Sequence, residues 1–298
     1  MVSKRILKSL LGVTMILFLF SCSNNNNNEN ADGNDEMEKI KDKENLSKQL
    51  EQVFYTLPNP IELAQLLKKA NAKYIYELSN PVNNVHKYDT EKSKALNLGI
   101  YGADLSYASI YGQTQETMFY LECSQILSDK LGIASSFKEG LVDRIERNIN
   151  NRDSLLQIIS DSFYDTDEFL KTNDRPTTAI LILAGGWIEG LYLATQLANI
   201  YSNNQDILSR VGEQKYSLNN LIAMMERHQD DSNIATLSSE LVKLKAIYDK
   251  IPIKYQSEVE SNNNQDNSIG LIAVIDVNKQ NLKQISDKIS TIRKNIIE

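Results

Sequence analysis

PTTAILILAGGWIEGLYLATQLANIY, residues 176–201, runs for twenty-six residues with Glu189 as its single charge. It is too long for a strand and shows no solvent-facing polar stripe, so it reads as a helix surrounded by apolar neighbours. Pro176 fits the first helical turn, where no amide partner is lost. Length, apolarity and the Gly186-x-x-x-Gly190 spacing also match a transmembrane helix. Glu189 at the midpoint and Gln196 beyond it are expensive in lipid, which favours the central buried helix of a bundle.

Working outward, residues 95–111, ALNLGIYGADLSYASIY, repeat the same design. On a helix, Ala95, Gly99, Gly102, Ala103 and Ser106 form a small-residue face, and Asn97, Tyr101, Asp104, Tyr107 and Tyr111 form a polar-aromatic stripe beside it. In 176–201 the small face is Gly186, Gly190 and Ala194, and the stripe is Glu189, Tyr192 and Gln196. Glycine inside a helix costs about 1 kcal/mol against alanine, so these glycines imply close helix contacts that offset the penalty.

Helical periodicity continues through most of the chain. Stripes run over Leu46–Leu57 and Ile61–Leu67, then Glu91–Tyr111, Gln115–Leu131, Ser136–Asn148, Ser154–Leu170, Pro176–Tyr201, Leu218–Arg227, Asn233–Ile251 and Asn281–Ile296. Ser261–Ser268 is an Asn-rich loop, and Ile269–Val277 reads as a short strand or a buried extended segment. Short matches hint at duplication: Ile126-Leu127-Ser128 with Ile207-Leu208-Ser209, Glu146-Arg147 with Glu226-Arg227, Asp153-Ser154 with Asp231-Ser232. The expected fold is all-α, a multi-helix bundle, with two four-helix units (91–173 and 174–252) about a pseudo-twofold axis as its candidate organisation.

The 298 residues are 41% hydrophobic and 24% charged, ordinary for a globular chain, with a formal net charge of −7 of mixed signs. No basic stripe is present, which argues against nucleic acid as a partner. His86 and His228 stand far apart, without cysteines or carboxylates at metal-ligand spacing, and no phosphate-cradling glycine loop or nucleophile elbow occurs. No metal or cofactor is therefore expected. Cys123 lies in an apolar helical stretch and reads as a small buried hydrophobe.

The residues that carry a candidate site are Asp104 and Glu189, on the two glycine-bearing helices. Ringed by Tyr101, Tyr107, Trp187 and Tyr192, two acids would hold a cation or a sugar, or act as an acid–base pair. The competing reading makes them structural, each accepting hydrogen bonds that fix helix register. Burial discriminates: an enzyme needs both acids on one open cleft, whereas a scaffold seals and bonds them.

The N-terminus supplies an address. Lys4, Arg5 and Lys8 precede an apolar run, Ser9–Phe20, closed by Leu19-Phe20-Ser21-Cys22. Those four residues resemble the lipobox of bacterial lipoproteins. The resemblance implies cleavage before Cys22 and acylation of that residue, each buried methylene contributing about 0.8 kcal/mol to anchoring. Residues 1–21 are then a signal peptide, 22–45 a lipidated tether rich in Asn and acids, and 46–298 a single all-α domain. Acids after the lipid cysteine also resemble the export signal of surface-displayed lipoproteins in Bacteroidetes-type bacteria, although Asn replaces most of those nearest Cys22.

Residues 95–108 and GGWIEGLYLAT (185–195) resemble motifs of an all-helical lipoprotein family of Bacteroidetes type, which brings no activity with it. Tyr107–Leu127 is similar to the turn and second helix of a tetratricopeptide repeat, which would imply a peptide-binding adaptor, but no 34-residue period follows. The expected role is a binding or scaffolding lipoprotein of the cell envelope, attached to the outer membrane through Cys22 and facing the periplasm or the exterior. Its ligand would be an envelope protein, a peptide or a glycan. The alternative is a carboxylate-dependent enzyme acting on an envelope glycan or polymer.

Overall fold

The computed structural model of the chain describes residues 72–136, 140–201, 204–260 and 268–298. Cys22, the tether and the stripes Leu46–Leu57 and Ile61–Leu67 lie outside the described residues. The fold is an all-α multi-helix bundle. In chain order its elements are α1 (Glu91–Ile110), α2 (Thr114–Leu131), α3 (Leu141–Asn148), α4 (Arg152–Thr172), α5 (Pro176–Ile200), α6 (Gln205–Glu226) and α7 (Ser232–Tyr248). A hairpin of β1 (Ile253–Glu260) and β2 (Ser268–Ile275) follows, and α8 (Lys279–Ile297) ends the chain. Short 3-10 turns at Tyr76–Leu78 and Val82–Lys87 precede α1, and a third, Ala134–Ser136, follows α2.

Most boundaries follow local capping chemistry. Thr90 and Ser93 form a capping box on α1, as do Asn278 and Asn281 on α8, and Asn151, Asn204 and Asp231 cap α4, α6 and α7. Pro176 occupies the first turn of α5. The helix expected from Ser136 starts only at Leu141, because Gly140 takes a left-handed conformation at φ 78°. Helix α6 begins well before the expected Leu218, since Asn204 accepts from the Ile207 amide and starts it at Gln205.

The stretch read as ambiguous is the second strand of the hairpin. Its partner was not expected: β1 pairs antiparallel with β2, from Ile253 opposite Ile275 to Glu260 opposite Ser268. The hairpin base docks on α6 at Gly212, where a Cβ would approach Ile275 Cβ and O to 3.1 Å and Val277 Cγ2 to 3.2 Å.

Helix α5 is central. It packs most extensively on α1, and also on α8, α6 and α4. It is long and apolar enough to cross a membrane, yet 72% of its most apolar stretch is buried by its own neighbours. The glycines set the α1–α5 approach. A Cβ on Gly99 would collide with the Ile182 carbonyl and come within 2.6 Å of the Gly186 nitrogen, and one on Gly185 would collide with the Leu96 carbonyl. These are backbone-to-backbone contacts of the kind only glycine allows. Two glycines depart from the expected face. Gly102 meets the Phe163 ring of α4 instead of α5, and Gly190 has nothing within 4 Å of its Cβ position.

Two of the three sequence matches do not fall on equivalent helices. Glu146-Arg147 lies on the third helix of 91–173, while Glu226-Arg227 closes the second helix of 174–252. Among the described residues the first segment carries four α-helices and the second three, with the hairpin next in line. The relation that stands is local: the two glycine-bearing helices pack directly on each other.

Candidate functional site

Asp104 from α1 and Glu189 from α5 come together, as both lie one to two turns beyond the glycine contact. Each is fully buried. The group that joins them was not expected: Arg293, from α8. Its guanidinium grips Glu189 with two bonds, Nε to Oε2 at 2.5 Å and Nη2 to Oε1 at 2.8 Å. Nη2 also donates to the Leu78 carbonyl at 2.9 Å, and the guanidinium carbon lies 4.2 Å from the centre of the Tyr192 ring. This fork-to-fork geometry compensates a buried carboxylate better than a point charge would. Arg293 had a sequence signal. It sits four residues after Ile289 and three before Ile296, a cation on the apolar stripe of the last helix.

Asp104 is held differently. Its Oδ2 accepts from the Asn80 amide at 3.0 Å, while Oδ1 accepts no hydrogen bond. Burial, and then the charge on Glu189, push Asp104 well above the usual carboxylate range. Burial also raises Glu189, against the pull of Arg293. Both directions favour a proton on Asp104 and the negative charge on Glu189, where the guanidinium compensates it.

A raised folded pKa stabilises below the unfolded value, near 4, and that stabilisation is lost as pH rises toward the folded value. Stability of the native chain should thus fall with rising pH by up to about 1.4 kcal/mol per unit from this group. Asp104→Asn, which mimics the protonated form, should flatten the slope. Urea midpoints at pH 5 and pH 8 measure it, and parallel slopes in both proteins would refute the proton assignment.

The triad belongs to a wider polar network that ties the ends of the described chain together. Asn80 Nδ2 donates to Tyr88 Oη at 3.0 Å and to Asn97 Oδ1 at 3.2 Å. Asn97 in turn donates to the Ile296 carbonyl at 3.2 Å, and the Tyr88 hydroxyl to that of Ile297 at 3.3 Å. Together these bonds join the segment before α1, α1 itself and α8, so their evident work is register.

The predicted aromatic ring around the acids is divided. Tyr192 stays at the triad, beneath Arg293. Tyr107 instead accepts from the Ile75 amide at 3.1 Å and packs with Tyr74 and Tyr111, ring centres 4.9 and 5.3 Å away. Trp187 does not line the acids: its indole donates to Ser217 Oγ at 2.9 Å, on the side toward α6. Tyr101 donates to the Pro81 carbonyl at 3.0 Å. Cys123 is buried against the Val82 carbonyl, and burial pushes its thiol up to about 12, the behaviour of an inert core residue. Among the described residues no group of three or more His, Cys, Asp or Glu gathers to hold a metal ion.

Space for a ligand lies elsewhere. A cleft of about 590 Å³ opens between α1, α2, α3 and α4, and Ile182 of α5 also lines it. Its walls include Leu98, Leu121 and Ile159, with Ser124, Ser162 and Thr166 among them. Neither Asp104 nor Glu189 is one of its lining residues.

Fold and site together define a class: a helical bundle with a sealed carboxylate–guanidinium centre and a separate side cleft. No protein-family model, curated protein or solved structure matches this chain.

Proposed function

We propose that this chain is a lipid-anchored binding protein of the bacterial cell envelope, held at the outer membrane through Cys22. One observation carries the binding role: the cleft of about 590 Å³ falls within the range of small-molecule sites. The closed Asp104–Glu189–Arg293 triad supports binding over catalysis, because acid–base work on an envelope polymer requires the acids to reach their substrate. The anchor rests on Leu19-Phe20-Ser21-Cys22, and the polar residues after Cys22 would hold the body off the membrane.

Cells fed an alkynyl palmitate analogue test the anchor. The native chain should incorporate the label and begin at Cys22 by mass spectrometry, while Cys22→Ser should lose both the label and the cleavage. Label retained by Cys22→Ser, or an intact leader on the native protein, would overturn this placement.

A further inference from the structure

We infer that the cleft takes a small amphipathic molecule with an apolar body and a hydrogen-bond-donating head, neutral or cationic, and that it rejects anions. The inference rests on the binding reading of the cleft and specifies the ligand class.

Size and depth come first. The volume suits a molecule of a few hundred daltons, and Leu98, Leu105, Leu121, Ile145, Ile159 and Ile182 supply an apolar lining for its body. The polarity of the wall decides the head group. Four hydroxyls line the cleft, and each already gives its proton to its own helix four residues back. Ser124 donates to the Tyr120 carbonyl at 2.9 Å and Ser128 to that of Ser124 at 2.7 Å. Ser162 donates to Ile158 and Thr166 to Ser162, both at 2.8 Å. The Thr166 oxygen also takes the Ser136 hydroxyl at 3.2 Å and Ser128 is fully buried, so what Ser124 and the half-buried Ser162 offer a ligand is oxygen lone pairs.

Charge points the same way. Asp129 and Asp143 stand exposed at the cleft, the latter with Arg147 as a loose neighbour at 3.8 Å. Among the described lining residues there is no Lys, Arg or His, and Gln125 is the one side chain with N–H donors. A carboxylate or phosphate head would lose its hydration and meet lone pairs and carboxylates, whereas an ammonium or hydroxyl head would meet complementary acceptors.

Three probes of equal chain length separate the possibilities: octylamine, octan-1-ol and octanoate, titrated calorimetrically into the full chain. Octylamine should bind tightest, octan-1-ol more weakly, and octanoate at least about tenfold more weakly than the amine. Asp129→Asn with Asp143→Asn should bring octylamine to within about twofold of octan-1-ol and leave the alcohol unchanged. Ser162→Phe, at a half-buried wall position, should abolish binding of all three while the protein still melts cooperatively.

Octanoate matching octylamine, or an amine advantage untouched by the rim substitutions, would overturn the ligand class and leave the cleft as a binding site. No heat from any probe, or binding indifferent to Ser162→Phe, would overturn the binding reading itself. Should Ser162→Phe fail to fold, the rim pair and the three-probe order still decide the ligand class.

Discussion

Replacing Arg293 with Met should lower stability by roughly 3–5 kcal/mol, because it strands the Glu189 carboxylate in a fully buried site. The loss is large against the roughly 5–15 kcal/mol that holds a typical domain together. Arg293 does more than neutralise. It donates to the Leu78 carbonyl and covers the Tyr192 ring, so its removal also takes away one of the ties between α8 and the segment before α1. Glu189 would respond by taking up a proton of its own, and the stability of Arg293→Met should then fall more steeply as pH rises than that of the native chain.

Adding Glu189→Gln to Arg293→Met should recover part of the loss, since an amide is far cheaper to bury than an unpaired charge. Chemical denaturation of the native protein, the two single variants and the double variant gives the coupling directly. A loss below about 1 kcal/mol for Arg293→Met would mean that the pair is solvated and the triad is not sealed.

Gly99→Ala and Gly185→Ala should each cost about 3 kcal/mol or more, at the upper end of overpacking penalties. In both, the new methyl meets a main-chain carbonyl on the facing helix, Ile182 or Leu96, and a carbonyl cannot turn aside without moving its helix. The neighbouring glycines supply internal controls. Gly102→Ala meets the far end of the Phe163 side chain, at the border of the cleft, and not a main-chain carbonyl, so its effect should be smaller. Gly190→Ala has open space and should stabilise by up to about 1 kcal/mol through helix propensity alone. Thermal melts of the four variants rank them. Equal effects at all four positions would show that propensity, and not the α1–α5 contact, governs these glycines.

Much of this was legible in the chain because helices announce themselves locally. Periodicity located α1, α2, α4, α5, α7 and α8 to within a few residues, and side-chain caps such as Thr90, Asp231 and Asn278 lie where Ser, Thr, Asp and Asn stop the chain from extending a helix backward. The missed strand was legible too. In IKYQSEVE, residues 253–260, the apolar residues Ile253, Tyr255 and Val259 fall on odd-numbered positions, the period-two pattern of a strand. Asp104 and Glu189 were identified as a pair because both stand on helices whose glycines imply contact.

What the sequence by itself determined was the class of fold, the central place of residues 176–200 and the pairing of two acidic positions. These depend on periodicity and composition, which a chain carries along its length. Only the tertiary structure decided that Arg293 closes the pair, that Trp187 turns to Ser217 and that Gly185 rather than Gly190 touches α1. It also put the ligand-sized space between α1, α2, α3 and α4, lined by neither acid. Each of those facts depends on the rotation of one helix against another, and a shift of one residue turns a helical side chain by about 100°. The long-range step from Glu189 to Arg293 spans 104 residues, and no local pattern encodes which cation a buried carboxylate will meet.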